Sequence, residues 1–262
     1  MQLFLVVLVS LLASTVGAIA GIGGGVIIKP VLDSLQMMDV STISFLSGCT
    51  VLSMSMYNAV KSYVSKDRGL RMETALPLGV GAALGGVSGK YLFSYIKSLF
   101  ENSSRVGAVQ AVCLIIVTVL TFIYTLKPSI IRSRQVKNAV VSIVTGLLLG
   151  LISAFLGIGG GPINLMVLSV LYSMNMKDAA KNSLIVIFIS QLASLIVTVA
   201  TRTVPSFDPL TLALMVVCGI LGGMLGRKLN KKMSSENVKV LFLITMAVII
   251  LLSIKNLVYY LG

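Results

Sequence analysis

Apolar residues run in long stretches along this chain, and polar residues gather in short breaks between them. The runs predict ten helical segments, at about 3–20, 26–37, 42–63, 73–96, 106–126, 138–156, 162–174, 182–201, 209–229 and 238–260. Most reach the length that a hydrocarbon core of about 30 Å demands of a spanning helix. The second and seventh do not. At 1.5 Å of rise per residue, about 13 residues make roughly 20 Å, so these two read as half-helices. Each forms a hairpin with the longer helix before it.

Both half-helices begin after the same five letters. Gly21-Ile22-Gly23-Gly24-Gly25 returns as Gly157-Ile158-Gly159-Gly160-Gly161, 136 residues later. Glycine frees the backbone for left-handed conformations but weakens a helix interior by roughly 1 kcal/mol relative to Ala, so such a run breaks the helix. In hydrocarbon the backbone groups freed by a break must face protein or a water-filled cavity, which makes a break present in both halves a candidate binding site. The repetition extends further. Leu84-Gly85-Gly86-Val87-Ser88-Gly89-Lys90 matches Leu221-Gly222-Gly223-Met224-Leu225-Gly226-Arg227 at an offset of 137, and Ser44 aligns with Ser183. Two copies of a five-segment unit account for the chain, the first over 1–126 and the second over 137–262. The Gly85-x-x-x-Gly89 and Gly222-x-x-x-Gly226 spacings read as helix packing.

Composition fixes the class. Of 262 residues, 56% are hydrophobic and 11% charged, with mean hydropathy +1.02, so 1–262 is one all-α polytopic membrane domain. The polar connections, of about a dozen residues each, leave no room for a soluble domain. The first residues lack a basic n-region and match an internal helix of the second half, so they read as a spanning helix and not a cleaved signal. Cys49, Cys113 and Cys218 are isolated in apolar segments and read as small packing residues. Histidine is absent, which removes the usual ligand pair of an intramembrane zinc protease and the base of a serine–histidine site. No enzyme, metal or cofactor is expected.

Net charge changes the picture through topology. The value is +13, and in a membrane chain it points to loop orientation before nucleic acid. Connections 61–73, 127–137, 177–181 and 227–239 hold 15 of the 21 basic residues. Placing them in the cytoplasm is consistent with five crossings per unit, both termini outside, and two inverted-topology repeats, each a helix/half-helix hairpin plus three spanning helices. A parallel four-plus-four arrangement is the competing reading.

Inverted repeats with broken helices are the architecture of many secondary transporters, which hold substrate where the half-helix ends meet. A half-helix presents free N–H groups and a positive dipole end at its start, so two of them would make an anion site. The expected binding residues are therefore Gly23, Gly24, Gly25, Gly159, Gly160 and Gly161, with Lys29 and Asn164 in the first turns and Pro162 opening the second half-helix. Asn182, Ser183 and Gln191 are the preferred polar residues along the path in the following helix. Asp33, a carboxylate inside a membrane segment, is a candidate for proton or sodium coupling. Asp33 also stands four residues after Lys29, the spacing of a plain side-chain pair.

At these residues the chain resembles the TauE/SafE family, the sulfite-exporter-like membrane permeases. The likeness rests on G-I-G-G-G with the apolar helix before it and the Pro or Asn after it, on its repetition, and on the L-G-G-x-x-G segments, and it covers essentially the whole chain. The resemblance implies a multi-pass protein of the bacterial inner membrane that moves a small sulfur-containing anion, such as sulfite or an organosulfonate. One departure stands out: V-I-I-K-P in the first copy against P-I-N-L-M in the second, which sets Lys29 against Leu165. The expected function is thus a secondary transporter working by alternating access on a small anionic substrate in the lipid bilayer. The alternative is an anion channel of the same architecture.

Overall fold

The computed structural model describes residues 2–35, 38–99, 103–127, 135–136, 138–158 and 160–261. Ten helices carry the described residues: α1 (Gln2–Ala20), α2 (Gly25–Leu35), α3 (Val40–Val64), α4 (Met72–Leu99), α5 (Ser103–Leu126), α6 (Ala139–Leu156), α7 (Pro162–Tyr172), α8 (Met176–Ala200), α9 (Pro209–Lys232) and α10 (Ser235–Leu261). No strand occurs among them. Seven are long and apolar enough to cross a membrane: α1, α3, α5, α6, α8, α9 and α10. Helices α2 and α7 have 11 residues each, about 16 Å of rise, and remain half-helices.

Local chemistry moved several boundaries. Asp39 and Asn175 cap α3 and α8, their side chains accepting from Ser41, Thr42 and Asp178 amides. Such caps satisfy the orphan N–H groups of a first turn. Helix α8 therefore starts six residues before the expected 182, and the charged run at Lys177–Lys181 is helical.

Packing partners interchange when the two halves are exchanged. Helix α4 lies along α6 as α9 lies along α1, and α4 meets α8 as α9 meets α3. Helices α3 and α8 pack on each other, as do α5 and α10. The glycine spacings let the backbones close in. A methyl at Gly85 would land on the Leu147 carbonyl of α6, and one at Gly222 would sit 2.6 Å from the Ser14 side chain of α1.

The connections gather at two ends. At one end Lys181 Nζ donates to the Arg68 carbonyl, Lys177 Nζ to the Lys231 and Met233 carbonyls, and Arg227 pairs with Asp67. At the other end the Thr42 hydroxyl donates to the Ser206 carbonyl, and Phe45 stacks near Phe207 with ring centroids 5.2 Å apart. The basic connections 65–71, 177–181 and 227–239 thus share one end of the bundle.

Candidate functional site

Each helix before a break ends in the same way. Ile22 N–H donates to the Gly17 carbonyl and Ile158 N–H to the Ser153 carbonyl, five residues back in both cases. These bonds need a left-handed residue at the turn, which Gly21 (φ 72°) and Gly157 (φ 66°) supply. The chain then reverses into the half-helix, where Ile27 and Ile28 amides share the Gly24 carbonyl.

The two breaks touch. A methyl at Gly25 would stand 2.7 Å from the Ile158 carbonyl, and one at Gly161 3.2 Å from the Val26 side chain. Ile22, Val26, Val51, Ile158 and Ile187, all at most 2% exposed, fill the space around them. The start of α2 therefore faces the Ile158 carbonyl, the Ser47 hydroxyl and apolar side chains, and Gly23, Gly24, Gly25, Gly160 and Gly161 lie in close packing. Gly159 lies outside the described residues.

Beside this contact a cavity of about 410 Å³ runs between α3, α4, α5, α6 and α8. Its lining extends from Gly157 and buried Gln110, deep in the bundle, to exposed Tyr91, Thr201 and Thr203. Ser44, Ser190, Gln191, Ser194 and Thr198 supply hydroxyl and amide groups. Lys90 is the sole charged side chain among the described residues that line it, and no carboxylate does. Its ammonium donates to the Ser194 carbonyl and the Thr198 hydroxyl of α8. Hydroxyls, amides and one ammonium, with no opposing carboxylate, suit an anion.

The expected residues separate on this map. Gln191 lines the cavity, and Gly157 forms part of its floor. Asn182 does not reach it. Its Oδ1 accepts from the Arg71 amide at 2.9 Å and its Nδ2 donates to the Gly69 and Asp178 carbonyls at 2.8 Å, which ties the α3–α4 connection to α8. Ser183 and Asn164 are buried off the cavity, and Ser183 Oγ and Asn164 Oδ1 have no hydrogen-bond partner.

Lys29 does not bond Asp33. Its ammonium donates to Gln110 Oε1 at 2.9 Å and to the Leu156 carbonyl at 2.7 Å, while Gln110 Nε2 donates to the Phe155 carbonyl. The last carbonyls of α6 are unpaired within the helix and lie at the negative end of its dipole, which suits them to accept from an ammonium. A methyl at Gly157 would stand 3.0 Å from Lys29 Nζ, so the ammonium lies just beneath the cavity floor. The sequence reading missed Lys90 and Gln110. Gln110 had a readable signal, being the one amide side chain in the otherwise apolar run 106–126.

The sulfite exporter TauE/SafE family model matches residues 6–253. The chain belongs to that family. It is also similar to the probable membrane transporter protein YunE of Bacillus subtilis (strain 168), at 24% identity over 272 residues that cover 95% of this chain and 96% of the relative. No solved structure matches it. As a member of the TauE/SafE family the chain is a multi-pass membrane transporter, and not an enzyme.

Proposed function

We propose that this TauE/SafE protein is a secondary transporter that carries a small sulfur-containing oxyanion, such as sulfite or an organosulfonate, across the inner membrane by alternating access. The observation that carries the reading is the cavity of about 410 Å³ whose only charged lining group, among the described residues, is Lys90. The anion rests against Gln191, Ser44 and the Gly157 floor, with Lys90 beside it and Lys29 beneath. Below the floor the paired breaks are packed shut by Ile22, Val26, Ile158 and Ile187, which favours a carrier open at one end over a continuous channel.

In this reading the two halves are inverted repeats, and the basic end is cytoplasmic, with both termini on the opposite face. The interchange of packing partners between the halves supports the pseudo-twofold relation. The meeting of the 65–71 and 175–182 segments at one end supports the inversion.

Flux of sulfite, sulfate, thiosulfate, taurine and sulfoacetate into proteoliposomes tests the function. Saturable uptake of at least one sulfur oxyanion, driven uphill by a proton gradient, is the expected result. Preference for an uncharged solute, or no flux of any of these, would sink it.

A further inference from the structure

Behind Gln110, away from the larger cavity, a small chamber of about 20 Å³ lies between α2, α5 and α10. It has room for about one water molecule. Gln110 lines both spaces and is the partition between them. Among the described residues, the ionisable groups lining the chamber are Lys29 and Asp33 of α2 and Tyr260 of α10; α5 contributes Gln110 and α6 the Leu156 end of its helix. Helices α1 and α3, also packed on α2, place no residue in its lining. Two groups there are left open: Asp33 Oδ1 and Ser253 Oγ are buried without a hydrogen-bond partner, and Ser253 is only 1% exposed.

We propose that this chamber is the site where a proton is taken up together with the anion, Asp33 being the carboxylate that receives it and Lys29 the fixed positive charge that faces the anion. The proposal rests on the reading of the open cavity as the anion site. The argument is one of charge. Uncompensated charge in a membrane interior is costly, so the site is held near neutrality in each of its states. Lys90 keeps its charge in both states, held by Ser194 and Thr198 toward the exposed end of the cavity. At the deep end, with no anion present, the Lys29 ammonium and the Asp33 carboxylate cancel. An anion arriving above Gly157 and Gln110 adds one negative charge, and one proton on Asp33 restores the balance. The O–H bond formed is on Asp33, the proton comes from solvent, and no other bond changes. The chamber's single water position, with Ser253 and Asn256 at its wall, supplies the hydrogen-bonded relay to the unpartnered Oδ1. A metal cation is the poorer occupant, because the Lys29 ammonium lines the same small space.

Binding of methanesulfonate, a monoanion throughout the neutral range, to the full-length protein in detergent tests the coupling. Uptake of one proton per anion makes the wild-type affinity weaken by about tenfold per unit rise in pH. Asp33→Asn, a permanent mimic of the protonated state, is expected to bind at the low-pH wild-type level with no pH dependence, and Asp33→Glu to keep the slope. A flat wild-type profile, or a slope that survives in Asp33→Asn, overturns the proposal. Infrared spectroscopy gives an arm that needs no anion, and so separates this proposal from the anion-cavity reading. Lys29→Met removes the balancing charge, and a protonated-carboxyl band is expected at neutral pH that disappears in Lys29→Met/Asp33→Asn. A protonated Asp33 already present in the anion-free wild type, or no such band in Lys29→Met, overturns it even if methanesulfonate fails to bind.

Discussion

Lys90 and Arg227 end the two L-G-G-x-x-G segments at equivalent places, yet Arg227 meets a carboxylate where Lys90 meets a carbonyl and a hydroxyl. Arg227 donates through Nη2 to Asp67 at 2.5 Å and through Nη1 to the Ser62 hydroxyl at 2.6 Å, with Lys231 also within 3.5 Å of Asp67. The basic end is latched at the position whose counterpart, at the other end, lines an open cavity. Under the alternating-access function proposed above, these two residues would mark the ends that open in turn.

Asp67→Asn is expected to weaken the latch by about 1.5–3 kcal/mol, the range for a hydrogen bond to a charged group. Burial alone would raise the Asp67 pKa, but the Arg227 and Lys231 charges and hydrogen bonds outweigh it and hold the carboxyl below its usual range. The folded pKa is thus depressed. Its contribution to stability is fully present above the unfolded value of about 3.9 and is lost as pH falls through the lower folded value. Thermal unfolding in detergent should show a constant deficit for Asp67→Asn around neutral pH that closes only in strong acid. A deficit that varies across neutral pH would contradict this account.

Lys90→Met is expected to raise the KM for the transported anion by roughly tenfold to a hundredfold, since a charge-assisted hydrogen bond is worth about 1.5–3 kcal/mol. Lys90→Arg keeps the charge and retains most of the affinity. Uptake kinetics in proteoliposomes measure both. An unchanged KM in Lys90→Met would remove Lys90 from the binding site.

The helices were legible because in lipid the apolar run is itself the fold signal: all ten segments return as helices, and α2 and α7 stay short for want of apolar length. The breaks were legible because Gly21 and Gly157 must take positive φ. The cavity was not. Lys90 looks like the polar end of a packing motif until α4 is laid against α8, and its distance in sequence from Ser194 hides their contact. Lys29 misled for a related reason, since spacing pairs it with Asp33 on its own helix while its partners are contributed by α5 and α6.

Engineered cysteines at Ser65 and Asn175, in a protein freed of Cys49, Cys113 and Cys218, test the inversion. Both flank connections at the basic end of the bundle, so impermeant maleimide is expected to label both from the cytoplasmic face and neither from outside. Labelling from opposite faces would require the parallel arrangement.

Asn182 and Gln191 lie on the same helix and were expected to serve the same path, but their surroundings assign them different work. Asn182 spends its amide on Arg71, Gly69 and Asp178 backbone groups, and Asn182→Ala leaves the Arg71 amide and the Gly69 carbonyl without this partner. Leaving a backbone group unsatisfied costs about 1–3 kcal/mol when it is fully buried and less at these part-buried positions, so this variant should be less stable in detergent while keeping its KM. Gln191 is 7% exposed and lines the cavity, so Gln191→Leu should raise KM with little loss of stability. Melting temperatures and uptake kinetics on the two variants separate the roles. A raised KM in Asn182→Ala at unchanged stability would return Asn182 to the transport path.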